Sequence, residues 1–256
     1  MKIITDNKEK LTYSIVGLPK SGTSILTRAM NSIEGSTCLS QPIRTMHSIN
    51  LSNGMKNIHD YEMMQQGTDN FLKGFDKYIK SNSDYKIGGT KEIFVPIKSR
   101  VSREVDKIFK NRDFFIFIVR DPKANFARWK ELKWSGEKLV KSIGFNADMF
   151  CNMYEELFEV FHEMKMYKPC IMVKYEDFCE NFSSEWLNSK FKEYLQFEGD
   201  LTELKPLVGS GNINCKQSTE ILEPNKEYTN LTEVETELID TRLNNLYKNI
   251  RGYGYY

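Results

Sequence analysis

The run Tyr13 to Val16 leads into the segment GLPKSGTSIL, Gly17 to Leu26. A buried strand that breaks at a glycine and re-enters as a helix is the opening unit of a parallel sheet with crossover helices. Gly17 and Gly22 keep the spacing of the phosphate-binding pattern G-x-x-x-x-G-K-[ST], and Ser24 fills its hydroxyl position. Position 23 is threonine, however, and the lysine stands earlier, at Lys20. Glycines let backbone N–H groups approach an anion closely, and the helix starting near Gly22 adds the positive end of its dipole. Lys20 would add a mobile point charge. A plain strand–turn–helix junction with a solvated lysine is the competing reading. The dense hydroxyl and cation content of Pro19 to Ser24 has no packing purpose and favours an anion site.

Other segments extend the same architecture. FFIFIV, residues 114–119, is a continuous apolar run of strand length, the pattern of a strand buried on both faces. Pro122 suits the first turn of a following helix. YKIGG, followed by TKEIFVPI, and CIMVKYEDF read as further strands. Helical spacing of apolar residues marks a helix beginning at Thr68 or Asp69, and others over 99–110, 147–167, SSEWLNSKFKEYL and 232–249. Residues 35–67 read as a long irregular stretch, and 208–230 show no periodicity. The expectation is one α/β domain over residues 1–256, a central parallel sheet flanked by helices of the P-loop-containing nucleotide-binding type. Its ligand should lie at the carboxyl ends of the strands.

Composition excludes several classes. Lys and Arg total 36 against 35 Asp and Glu, a net charge of +1, so no bulk attraction to nucleic acid or anionic membrane is expected and any anion site is local. The five cysteines form no C-x-x-C pair, which suggests reduced thiols and a cytoplasmic protein. The amino-terminal stretch has no apolar h-region, and FFIFIV is far too short to span a bilayer. No His, Cys, Asp and Glu cluster has metal-ligand spacing, so no metal is expected.

LPKSGTSIL resembles the 5′-phosphosulfate loop, P-K-S-G-T-[ST], of the sulfotransferases that use 3′-phosphoadenosine 5′-phosphosulfate (PAPS). Further stretches agree in order. FIFIVRDPKANFARW resembles the second signature of that family, MVKYEDF a third, and LYKNIRGYGYY a common family ending. The resemblance implies transfer of a sulfuryl group from PAPS to a hydroxyl or amine, on a small-molecule, glycan or peptide acceptor, leaving adenosine 3′,5′-bisphosphate. It implies that Lys20 stabilises the leaving phosphate, and that Pro19, Ser21, Gly22, Thr23 and Ser24 hold the 5′ end. It assigns the 3′-phosphate to Arg120, with Arg128 standing where the family has a serine. Lys216, in the loop GSGNINCKQ, is a further candidate contact, and Lys91 a second cation near the sulfate.

The general base is not fixed by the resemblance. Gln41 stands where some members carry a glutamate, and an amide accepts no proton. Ile93 stands where others carry a histidine, with Glu92 beside it. Glu92 ranks first, His47 second and His59 third. His162, on a long helix, is expected to face solvent. Two alternatives remain open: a P-loop kinase or ATPase with Asp121 on magnesium, and a nucleotide-binding protein without turnover.

Overall fold

The computed structural model describes residues 1–4, 10–40, 58–94, 112–131, 146–191, 195–201, 203–205, 208–209 and 230–252. In chain order the elements are β1 (Lys2–Ile3), β2 (Leu11–Gly17), α1 (Thr23–Ser32), β3 (Ser36–Ser40), α2 (Ile58–Ser81) and β4 (Ile87–Ile93). There follow β5 (Phe114–Val119), α3 (Pro122–Lys130), α4 (Ala147–Lys165), β6 (Cys170–Lys174), α5 (Tyr175–Asn181) and α6 (Ser184–Phe191). The series closes with β7 (Phe197–Glu198), β8 (Val208–Gly209) and α7 (Glu233–Lys248), running into a 3₁₀ turn at Asn249–Gly252. A six-stranded sheet has the order β6-β5-β2-β4-β3-β8, and its pairings are all parallel. β1 and β7 form a separate antiparallel pair.

The apolar run of β5 is explained by two covered faces. Phe115, Phe117 and Val119 pack with Phe150, Tyr154 and Phe161 of α4 and with Ile239 and Leu243 of α7. Phe114, Ile116 and Ile118 face the other way, into a cluster with Leu26 and Met30 of α1, Phe178 of α5 and Phe191 of α6. Successive strand residues point to opposite faces, so only an unbroken apolar run satisfies both layers. β2 lies between β5 and β4, with Tyr13 opposite Phe114 and Leu11 opposite Ile87. The chain crosses to β3 on one side of β2 and later to β5 on the other. β2 is therefore the switch point of the sheet, the place at the carboxyl edge where open α/β sheets bind their ligands.

Three expectations need correction. The stretch 35–67 is not irregular throughout, since it contains β3 and the start of α2. β3 reads Ser-Thr-Cys-Leu-Ser, and its buried residues are the small Ser36, Cys38 and Ser40. Hydrophobic periodicity cannot detect such a strand. It is held instead by Asn31, which accepts from the Cys38 N–H at 2.6 Å and donates to the Cys38 carbonyl at 3.0 Å. α2 begins at Ile58 and not near Thr68. The helix runs through Gly67 because one helical glycine costs only about 1 kcal/mol, and strong helix formers, Glu62 to Gln66, precede it. CIMVKYEDF also divides, into β6 and the first turn of α5. The helix expected over 99–110 lies outside the described residues.

Candidate functional site

The loop between β2 and α1 sits at the switch point. β2 ends at Gly17, Ser21 N–H donates to the Leu18 carbonyl at 3.2 Å, and the Gly22 carbonyl accepts from Leu26 at 3.1 Å as the helix begins. Lys20 has φ = 65° and is exposed, the only non-glycine residue in the left-handed region among those described. A side chain in that region costs roughly 1–2 kcal/mol, so the loop holds Lys20 there against its local preference. Gly22 has φ = 100°, and a β-carbon on it would run into the Tyr175 ring. A β-carbon on Gly17 would fall 2.6 Å from the Ile118 carbonyl oxygen and 2.6 Å from Ser21 Oγ. Both glycines are thus required by close packing of the loop on β5 and α5.

The start of α1 is open to an anion. Gly22 is its N-cap, and no side chain caps the helix there. Thr23, buried, and Ser24, exposed, occupy the first turn. Beside them Ser21 Oγ is buried with no hydrogen-bond partner among the described residues.

Arg120 follows directly on β5 and is 7% exposed. Its Nη1 donates to the Lys20 carbonyl at 3.4 Å, and its guanidinium lies 4.6 Å from the centre of the Tyr175 ring. Its own carbonyl accepts from the Tyr154 hydroxyl at 2.8 Å. Its Nε is buried without a partner among the described residues. One helical turn into α3, the fully buried Asn125 donates Nδ2 to the Pro19 carbonyl at 2.9 Å, while its Oδ1 has no partner among the described residues. Arg120 and Asn125 therefore staple the loop to the end of β5. A buried guanidinium with an unmet donor is costly unless an anion completes it. Two unmet donors beside one loop, the Ser21 hydroxyl and Arg120 Nε–H, are the demand that a bound phosphate or sulfate would answer, whereas Asn125 Oδ1 calls for a donor.

The remaining candidates are placed differently. Arg128 lies in the last turn of α3, in an exposed ion pair with Glu131 at 2.7 Å. Lys123 pairs with Asp240 at 2.8 Å and Lys130 with Glu235 at 2.8 Å, so lysines at both ends of α3 face carboxylates on α7. Asp121 Oδ1 is engaged as the N-cap of α3, accepting from Ala124 N–H at 2.9 Å. Glu92 is half-buried and lies within β4, opposite Val16 of β2. With YKIGG read as the strand, Glu92 would fall just past it, but the strand runs on to Ile93 and takes Glu92 in. Consecutive strand residues point to opposite faces, and Lys91 is 1% exposed, opposite Ile15 and Ser40. His162 is exposed on α4, as expected. Gln41, His47 and Lys216 lie outside the described residues, and so does the side chain of His59 on α2.

Sequence reasoning missed four residues at this centre: Asn125, Tyr154, Glu176 and Tyr247. Glu176, in the first turn of α5, accepts from the Asp121 N–H at 3.0 Å and from the Tyr247 hydroxyl at 2.5 Å. Burial pushes the Tyr154, Tyr175 and Tyr247 hydroxyls well up from their ordinary value, so they act as neutral donors. Among the described residues no group of His, Cys, Asp and Glu could hold a metal ion, and no helix is long and apolar enough to cross a membrane.

No protein-family model matches the chain, and no curated protein matches it. A solved structure does: the sulfotransferase domain from the Synechococcus PCC 7002 olefin synthase, with a TM-score of 0.51 at 16% identity. The match covers 93% of this chain and 96% of that one. The chain therefore has a sulfotransferase-like fold, an α/β domain with a central parallel sheet between helices.

Proposed function

We propose that the chain transfers a sulfuryl group from PAPS to a hydroxyl or amine, releasing adenosine 3′,5′-bisphosphate. The observation that carries this reading is the buried, incompletely satisfied Arg120 stapled to a loop that presents Lys20 at a left-handed apex. The residues present fit a nucleotide bearing anions at both ends. The backbone N–H groups of residues 21–24 and the hydroxyls of Ser21, Thr23 and Ser24 would hold the 5′ end, and Arg120 the 3′-phosphate. When bound, the donor supplies an activated sulfuryl group whose departure leaves negative charge on a phosphate. Lys20 places its ammonium where that charge develops, and fixed donors of this kind act chiefly on the transition state. Glu92 is first in rank as the group that takes the acceptor's proton, ahead of His47 and His59.

The kinase reading is weaker. It needs Asp121 on magnesium, whereas the Asp121 carboxylate is engaged by Ala124 N–H and lies next to Arg120. Calorimetry separates the readings. Adenosine 3′,5′-bisphosphate at about 100 times its Kd should raise Tm by about 5–10 °C for a domain of this size, and ATP should not. Equal shifts with both nucleotides, or turnover that collapses in EDTA and returns with magnesium, would overturn the proposal.

A further inference from the structure

Arg120 is the first residue beyond β5. The last β5–β6 register pair is Val119 with Lys174, so the sheet leaves Arg120 and Asp121 to be placed by other groups. The N–H of Asp121 needs an acceptor, because a buried donor left unmet is expensive. Glu176 Oε1 supplies it at 3.0 Å, and Glu176 Oε2 accepts from the Tyr247 hydroxyl at 2.5 Å. With a donor on each oxygen, the carboxylate is confined to one orientation. Tyr247 belongs to α7, which is anchored independently. Lys123 and Lys130 of α3 pair with its Asp240 and Glu235, and its Arg242 pairs with Asp148 and Glu155 of α4. The Tyr247 ring also lies 4.4 Å from the Lys174 ammonium. Lys174 and Glu176 flank Tyr175, the ring on which the Arg120 guanidinium rests.

We infer that Glu176 and Tyr247 are a positioning pair for Arg120, so that α7 sets the geometry of the anion site without touching the anion. The chain of contacts runs from the Tyr247 hydroxyl through the Glu176 carboxylate to the Asp121 N–H, and so to the peptide that carries Arg120. Placement of the guanidinium against the loop, and with it preference for a nucleotide bearing a 3′-phosphate, depends on one hydroxyl of a distant helix. This inference rests on the reading of Arg120 as the ligand of that phosphate.

The test uses the full chain and the variants Tyr247→Phe, Glu176→Ala and Glu176→Gln. Two readouts are taken: the Asp121 amide and Arg120 Nε–H resonances without ligand, and the Kd values of adenosine 3′,5′-bisphosphate and adenosine 5′-phosphate. Tyr247→Phe should speed exchange of the Asp121 amide and shift the Arg120 resonance, while the amides of Phe115 to Ile118 stay protected. It should lower the preference for the bisphosphate by about three- to tenfold, the loss expected for one charge-assisted hydrogen bond acting at a distance. Glu176→Ala should do the same more strongly. Glu176→Gln should recover most of the preference, because an amide can still accept from Asp121 and donate to Tyr247. Unchanged Asp121 and Arg120 resonances in Tyr247→Phe would overturn the pairing, whatever the nucleotides do. Altered resonances with an unchanged preference would reduce the pair to a structural contact. A wild-type chain that binds both nucleotides equally would sink the assignment of Arg120 to a 3′-phosphate, while the resonances still decide whether Tyr247 governs its placement.

Discussion

The carboxyl edge of the sheet has two halves, and they are specified to different degrees. Around the ends of β2, β5 and β6, each key group is fixed from other elements. Lys20 and Pro19 are tied through their carbonyls to Arg120 and Asn125, Gly22 is packed on Tyr175, and Arg120 is bracketed by Tyr154 and Tyr175. Around the ends of β4 and β3, Lys91 and Glu92 lie in register opposite β2 and β3, and their proposed roles were read from their place in the sequence. The proposed function assigns nucleotide binding to the first half, and choice of acceptor and removal of its proton to the second.

The largest effect should come from the second half. Glu92→Gln is expected to keep nucleotide affinity and to lower kcat by ~10²–10⁴, the range for a general base. Steady-state kinetics beside calorimetric Kd values decides it. Normal turnover in Glu92→Gln with an inactive His47→Ala would move the base to His47.

In the first half, Lys20→Ala should lower kcat by ~10²–10³, as for loss of one transition-state donor, while the Kd for adenosine 3′,5′-bisphosphate changes far less. An effect confined to KM for PAPS would make Lys20 a binding residue only.

The two arginines come next. Arg120→Ala should weaken the bisphosphate by roughly ten- to a hundredfold, about 1.5–3 kcal/mol for a charged, buried contact. Arg128 is half-exposed and paired with Glu131, and such surface pairs are worth about 0–1 kcal/mol. Arg128→Ala should therefore change that Kd only slightly. A loss as large as that of Arg120→Ala would restore Arg128 to the phosphate site.

The smallest effect lies away from the site. Glu235 closes the capping box of α7 and pairs with Lys130. Burial alone would raise its carboxyl, but Lys130 and the Thr232 N–H outweigh burial and hold it below its ordinary value. A depressed folded value means that the contribution is present above the unfolded carboxylate range and is lost as pH falls through the folded one. Glu235→Ala should cost about 1 kcal/mol at pH 7 in chemical denaturation, and the difference should shrink below about pH 4. A penalty that persists at low pH would assign the effect to packing and not to charge.

Legibility in the sequence followed the kind of interaction involved. β5 could be read because burial on both faces leaves an unbroken apolar run, and the loop because two glycines, a lysine and hydroxyls stand at fixed spacing. β3 could not, because it is buried with small polar residues and held by an asparagine from α1. Arg120 was identified through the resemblance of FIFIVRDPKANFARW to a family signature. Its stacking on Tyr175 and its link through Glu176 to Tyr247 join residues far apart in the chain, and no local pattern announces such partners. The same limit put Lys91 beside Glu92 in sequence when the pleat sends the two to opposite faces.

The pairing of β2 also governs the order of assembly. Leu11 waits for Ile87, and Tyr13 for Phe114, so the strand before the Lys20 loop is synthesised long before either neighbour. Distant parallel pairings of this kind form slowly, since the entropy of closing the intervening loops is lost before contacts reward it. Until β4 and β5 emerge, β2 is an apolar strand with both edges bare, the kind of intermediate that aggregates. Because Arg120 leans on Tyr175 and Glu176 on Tyr247, a competent anion pocket is a late event in folding. Ligand binding should then report complete folding more strictly than circular dichroism, which registers helices that form early.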